Sequence, residues 1–168
     1  DFSPSYYMFD FMTMMYSPYQ YNLLDINPLR DLLVELVDFD ELRRSEAVKL
    51  FVCATNVRTS RAKVFSRENI SADAVLASAC LPFLFKAVEI DGEAYWDGGF
   101  MGNPPIFPLI DDTETEDIVL IQINPIFRPD IPKTAVEIRD RINELSFNSS
   151  LMHEMRRINF VQKMLEAD

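Results

Sequence analysis

The chain has 168 residues, 48% of them apolar and 12% aromatic, enough hydrophobic material to bury the core of one ordinary domain, which excludes a disordered tail. Its formal net charge of -11 opposes the phosphate contacts on which nucleic-acid affinity rests, and equally opposes adsorption on anionic lipid. Nucleic acid is therefore excluded as a partner, and any contact with a membrane surface or lipid aggregate has to be mainly apolar.

No apolar run reaches the roughly 18 residues needed to span a bilayer. The first residue is Asp1 rather than Met, and no leader-like segment opens the chain, so a fragment of a longer protein is expected. Cys53 and Cys80 lie among apolar or small residues, the setting of buried free thiols, which suits a reducing, cytoplasmic compartment.

Residues Phe2 to Tyr21 concentrate aromatic residues and Met, including Tyr6, Tyr7, Phe9, Phe11, Met12, Met14, Met15 and Tyr16. Such side chains commonly fill cores, so core or interdomain contacts with partners outside the chain are expected, and an acyl pocket lining is compatible with them. Asn27 followed by Pro28 starts a helix, because Asn caps free N–H groups and proline is preset for the first turn. Leu29, Leu32, Leu33, Leu36 and Val37 recur at helical spacing and leave Arg30, Asp31 and Glu35 toward solvent, predicting a surface helix packed on a core.

Val48 to Val57 is apolar at its centre, as in a strand covered on both faces, and Ala62 to Ser66 pairs back on it as a hairpin. Arg58, Arg61, Lys63 and Arg67 decorate this hairpin; they fit an anionic head group but are read as solubilising a polar turn. Ser71 caps a helix predicted to run to Cys80, and Pro82 explains its end. Ala87 to Ile90 and Ala94 to Trp96 flank Asp91-Gly92-Glu93, a strong hairpin signal that delivers Asp97.

Asp117 to Ile123 reads as another buried strand, ended by Asn124-Pro125. Thr134 and Glu137 form a capping box for a helix with Val136, Ile138, Ile142 and Leu145 as apolar positions. Ser146 to Ser150 is expected to interrupt it, with a last helix from about Leu151.

The densest run of special residues is Asp97-Gly98-Gly99-Phe100-Met101-Gly102-Asn103-Pro104-Pro105, which holds three of the four glycines. Paired glycines allow positive φ and close approach of other groups, so an acid just before them can be aimed into a cleft. Alone, the motif equally fits a structural turn acid.

The wider order of residues is more specific. Ser71 through Phe85 leads by way of Val88-Glu89-Ile90-Asp91-Gly92 to Tyr95-Trp96-Asp97-Gly98-Gly99 and Asn103-Pro104-Pro105. This series resembles the C-terminal half of a bacterial-type patatin-like phospholipase domain. The likeness extends from Asn27-Pro28-Leu29 through Ala54-Thr55-Asn56 to Ile123-Asn124-Pro125. It implies an α/β fold, here a partial three-layer sandwich without its N-terminal strands and nucleophile elbow. It also implies hydrolysis of phospholipid or lysophospholipid esters by a Ser-Asp dyad, with no metal and no cofactor.

In that family pattern Asp97 is the general base and proton acceptor, with Gly98 and Gly99 completing the motif. The serine of a G-x-S-x-G elbow is missing: the glycines four apart are Gly98 and Gly102, and the residue between them is Phe100. The nucleophile and oxyanion loop are therefore expected outside these residues. All 168 residues read as the C-terminal portion of one hydrolase domain: an aromatic and Met-rich segment at 1–26, a core with the motif at 27–133, and C-terminal helices at 134–168.

Three alternatives fit less well. A thiol hydrolase would need Cys80 or Cys53 with His153, but neither cysteine has a cationic sequence neighbour to make a thiolate. Asp91, Asp97, Asp111 and Asp112 could surround a cation, yet their spacing matches no EF-hand loop. A noncatalytic lipid-binding or regulatory module would keep Asp97 only as a structural turn residue. Acyl length, head group and oligomeric state have no sequence signal.

Overall fold

A computed structural model describes residues 3–115 and 117–166; Asp1, Phe2 and the side chains of Tyr6 and Asp10 lie outside the described residues. The chain divides into two compact units, Asp1–Gly98 and Gly99–Asp168.

In the first unit, helices α1 (Pro4–Met15), α2 (Pro18–Tyr21), α3 (Pro28–Leu36) and α4 (Phe39–Arg44) precede a hairpin of β1 (Phe51–Asn56) and β2 (Ala62–Ser66). Helix α5 (Ala72–Ser78) and a second hairpin, β3 (Val88–Ile90) and β4 (Glu93–Asp97), follow. The four strands form one antiparallel sheet in the order β2-β1-β4-β3, making the unit a mixed α/β structure.

Strand β1 lies inside this sheet, paired with β2 from Phe51↔Ser66 to Thr55↔Ala62 and with β4 from Ala54↔Asp97 to Asn56↔Tyr95. Cys53, Ala54, Thr55 and Asn56 are buried in succession. A strand with one wet face would alternate, so both faces are covered here, as the unbroken apolar run predicts. The strand is shorter than that run, and Val48 stays exposed.

Ala54, Phe65 and Tyr95 share one face and meet Ala74 and Ala77 of α5, with Ile70 completing the buried cluster. The small residues of α5 let it sit close to the sheet. Phe65 and Tyr95 meet edge to face at 5.7 Å, an arrangement that adds about 0.5–1.5 kcal/mol beyond area burial. Ser71 caps α5 by accepting from the Ala74 N–H at 3.1 Å, and the helix ends at Ser78, two residues before the predicted Cys80.

The second hairpin turns on Asp91 and Gly92, with φ of 53° and 78°. Two successive positive φ values match the right-handed twist of the flanking strands, which explains why Asp-Gly stands here. Asn56 fixes the first hairpin: its side-chain oxygen accepts from the N–H groups of Arg58 and Thr59 at 3.0 and 2.9 Å, and its amide donates to Glu93 at 2.9 Å.

One sequence expectation needs correction in this unit. Helix α3 is capped by Asn27 as predicted, but Leu29, Leu32 and Leu36 are exposed and only Leu33 and Val37 are half-buried. Tyr7, Met8, Phe9, Phe11, Met14 and Met15 on α1 are all at least half exposed, compatible with the expected contacts to partners outside the chain. Helical periodicity shows which residues share a stripe, and not how much of that stripe another element covers.

In the second unit a short helix α6 (Phe107–Asp111) precedes one long helix, α7 (Ala135–Leu165). Thr134 and Glu137 form the predicted capping box. The expected interruption at Ser146 to Ser150 does not occur. The Ser149 hydroxyl donates back to the Ser146 carbonyl at 2.7 Å, and that of Ser150 accepts from the Asn103 N–H at 3.0 Å, so these residues are satisfied without unwinding the helix.

The predicted buried strand at Asp117 to Ile123 is also overturned. No described strand pairs with it, and Val119, Ile121 and Ile123 are 88%, 84% and 90% exposed. An apolar run marks a chain suited to burial, but a strand exists only where a neighbour takes its backbone hydrogen bonds. Polar contacts tie the adjoining loop to α7: Gln122 donates to Asn148 at 3.0 Å, and Asn148 donates to the Pro125 carbonyl at 3.1 Å.

Candidate active site

Asp97 is the last residue of β4, half-buried, and stands opposite Ala54 of β1. Side chains alternate along a strand, so its carboxyl leaves the sheet on the face of Tyr95 and Ala54, where α5 packs. Its backbone is held from two sides. The Asp97 N–H donates to the Cys80 carbonyl at 2.9 Å, just beyond α5, and its carbonyl accepts from the Thr55 hydroxyl at 2.8 Å.

Gly98 is buried, and a Cβ at this position would stand 2.0 Å from the Cys53 carbonyl oxygen and 2.6 Å from the carbonyl carbon. Close approach to β1, rather than a left-handed backbone, is what requires glycine. Only Gly92 among the four glycines has positive φ, which corrects that part of the sequence reading of the Asp-Gly-Gly run. The packing of Gly98 on Cys53 and the two backbone hydrogen bonds fix where β4 stops and thus where Asp97 stands. Gly99 opens the second unit and is buried there.

Neither cysteine has the character of a nucleophile. Cys80 is 2% exposed, and burial pushes its thiol up to about 11; a hydrogen bond with the Val88 backbone works against the rise, while the charges of Asp97 and Asp25 add to it. Its Sγ–H donates to the Lys86 carbonyl at 3.1 Å. Cys53 is buried in β1 and is also a free thiol. His153 is exposed on α7.

Asp91 serves the hairpin turn, while Asp111 and Asp112 lie at the end of α6. Among the described residues no group of three or more His, Cys, Asp or Glu side chains is arranged to hold a metal ion. Two of the basic residues on the first hairpin bind the fold itself. Arg67 donates to the Ser45 carbonyl at 2.5 Å, and Arg58 to the Gly92 carbonyl at 3.3 Å. Lys63 lies 5.7 Å over the Phe65 ring.

The chain is thus a mixed α/β structure in which the second hairpin ends on an acid followed by a closely packed glycine. The chain belongs to the patatin-like phospholipase family, whose family model matches residues 11–110. That is a lipid acyl hydrolase family, and the matched stretch contains Asp97, Gly98 and Gly99. No curated protein matches the chain. Among the described residues no helix is long and apolar enough to cross a membrane.

Sequence reasoning did not find the two groups that hold the Asp97 backbone. Ala54-Thr55-Asn56 carries part of the family resemblance, yet nothing in the local sequence assigns the Thr55 hydroxyl to a carbonyl 42 residues away.

Proposed function

We propose that the chain carries the carboxylate half of a phospholipid or lysophospholipid acyl hydrolase. Asp97 accepts the proton of a serine that lies outside these 168 residues. The observation that supports this most is the fixed end of β4: the two backbone hydrogen bonds of Asp97 and the tight seat of Gly98 hold the main chain that carries this carboxyl. A proton acceptor has to be placed before its basicity matters.

In this reading the serine hydroxyl loses its proton to Asp97 as its oxygen attacks the ester carbonyl, and backbone N–H groups near the serine hold the oxyanion. Asp97 hands that proton to the departing alcohol or lysolipid as the ester bond breaks, then takes a proton from water as the water oxygen attacks the acyl-serine, and returns it to the serine oxygen as the fatty acid leaves. No cofactor enters these steps. The wider domain is a three-layer sandwich to which the sheet of the first unit contributes. The two buried thiols suit a reducing, cytoplasmic setting with peripheral lipid contact.

The test is Asp97→Asn in the polypeptide that joins this chain to its serine. The variant is isosteric and should keep the wild-type circular dichroism spectrum. Ester turnover should fall by roughly 10²–10⁴-fold, the contribution of a positioned general base, with slower labelling by a fluorophosphonate. Turnover at the wild-type rate would remove Asp97 from the mechanism, whereas absence of turnover in the unaltered polypeptide would favour a noncatalytic lipid-binding role.

A further inference from the structure

We infer that Thr55 is a positioning residue for the Asp97 carboxylate, an assignment that rests on the reading of Asp97 as proton acceptor. Thr55 is 6% exposed and lies opposite Trp96, one pair along the ladder from Ala54↔Asp97. Its side chain therefore rises on the face of the sheet opposite the Asp97 carboxyl, where it does not compete for that carboxyl. Its hydroxyl instead reaches back to the Asp97 main chain and donates to the carbonyl oxygen at 2.8 Å.

At this point the antiparallel pairing of β4 with β1 ends, and the next residue, Gly98, begins a tight turn. The carbonyl of a strand's last residue has lost the regular ladder that fixes its predecessors. The Thr55 hydroxyl supplies a donor from β1 to the Asp97 carbonyl. With the Asp97 N–H bound to the Cys80 carbonyl, the two backbone polar groups of Asp97 are tied to two different elements, β1 and the segment after α5. The peptide planes on both sides of the Asp97 Cα are thereby set, and with them the direction of its Cα–Cβ bond.

Threonine fits this task better than its neighbours in size. Valine would have the same branched shape and strand preference but would remove the Thr55 hydroxyl bond to the Asp97 carbonyl. Serine would keep the donor and lose only a methyl group. The pair of substitutions separates positioning from packing.

The experiment compares Thr55→Val, Thr55→Ser and Asp97→Asn in the complete serine-bearing polypeptide, with kcat, KM and thermal midpoint measured for each. Thr55→Val should lower kcat by roughly 10–100-fold at unchanged KM, as expected when a reacting group is displaced by an ångström or less. Thr55→Ser should recover most of that loss.

A Thr55→Val enzyme with wild-type kcat, or equal kcat losses in the valine and serine variants, overturns the positioning role while Asp97→Asn is inactive. Full activity of Asp97→Asn defeats the underlying reading instead. If both Thr55 variants lose thermal stability and Thr55→Val keeps its kcat, the residue is purely structural and the inference is wrong.

Discussion

At Gly98 the governing quantity is a distance. A methyl group there would overlap the Cys53 carbonyl, and neither partner is a flexible side-chain tip that can swing away. Gly98→Ala forces the end of β4 off β1, at a cost near or above the upper end of the roughly 1–3 kcal/mol typical of an overpacked core. The expected result is a fall in Tm of roughly 10 °C by calorimetry, together with loss of whatever function Asp97 serves. A wild-type Tm would show that the turn accommodates a Cβ and that close approach is not why glycine stands here. The place of Asp97 at the end of β4 was legible, because the Asp91-Gly92 hairpin signal that delivers it is local. Thr55 and the Cys80 carbonyl were not legible, because they reach Asp97 through sheet register and chain folding.

Elements differed in legibility for the same reason. Both hairpins could be read because their signals are local: Asp91-Gly92 dictates its own turn, and β1 and β2 are close in sequence. The Asp117 to Ile123 run has strand composition without a described partner, and composition cannot supply one. Helix α7 went the other way, since a serine-rich stretch that reads as a break stays helical with its hydroxyls bonded to Ser146 and Asn103. Acid should loosen this element first. Glu144 is held below the usual glutamate range, chiefly by side-chain hydrogen bonds from Arg128 and then Arg141, and Glu137 by the N–H groups of Thr134 and Lys133. A carboxylate whose pKa is depressed by folding stabilises the folded state above its ordinary pKa of about 4.3 and loses that contribution as pH falls below it. Amide exchange along the first three turns of α7 should therefore quicken between neutral pH and about pH 3, after correction for intrinsic rates, and Glu144→Gln should show part of that loosening already at pH 7. A helix whose protection is flat over this range would rule out the two glutamates as its fasteners.

For the whole molecule, charge and apolar exposure point to different lipid surfaces. A net charge of -11 repels an anionic bilayer, and within the first 26 residues there is no Lys or Arg to offset it. The same stretch exposes Phe9, Phe11, Met14, Met15, Leu23 and Leu24, and aromatic and Met side chains gain free energy from partial insertion at a neutral interface. Binding should accordingly be stronger on zwitterionic phosphatidylcholine vesicles than on vesicles containing phosphatidylserine. On the zwitterionic surface it should change little between low and high salt, because screening does not weaken an apolar contact. Phe11→Asp with Met15→Asp should release the chain from these vesicles in a sedimentation assay while leaving the sheet of the first unit folded, since neither side chain belongs to its buried cluster. If binding instead rises with phosphatidylserine and falls with salt, the basic residues of the first hairpin dominate, and the exposed Arg61 becomes the residue to change first.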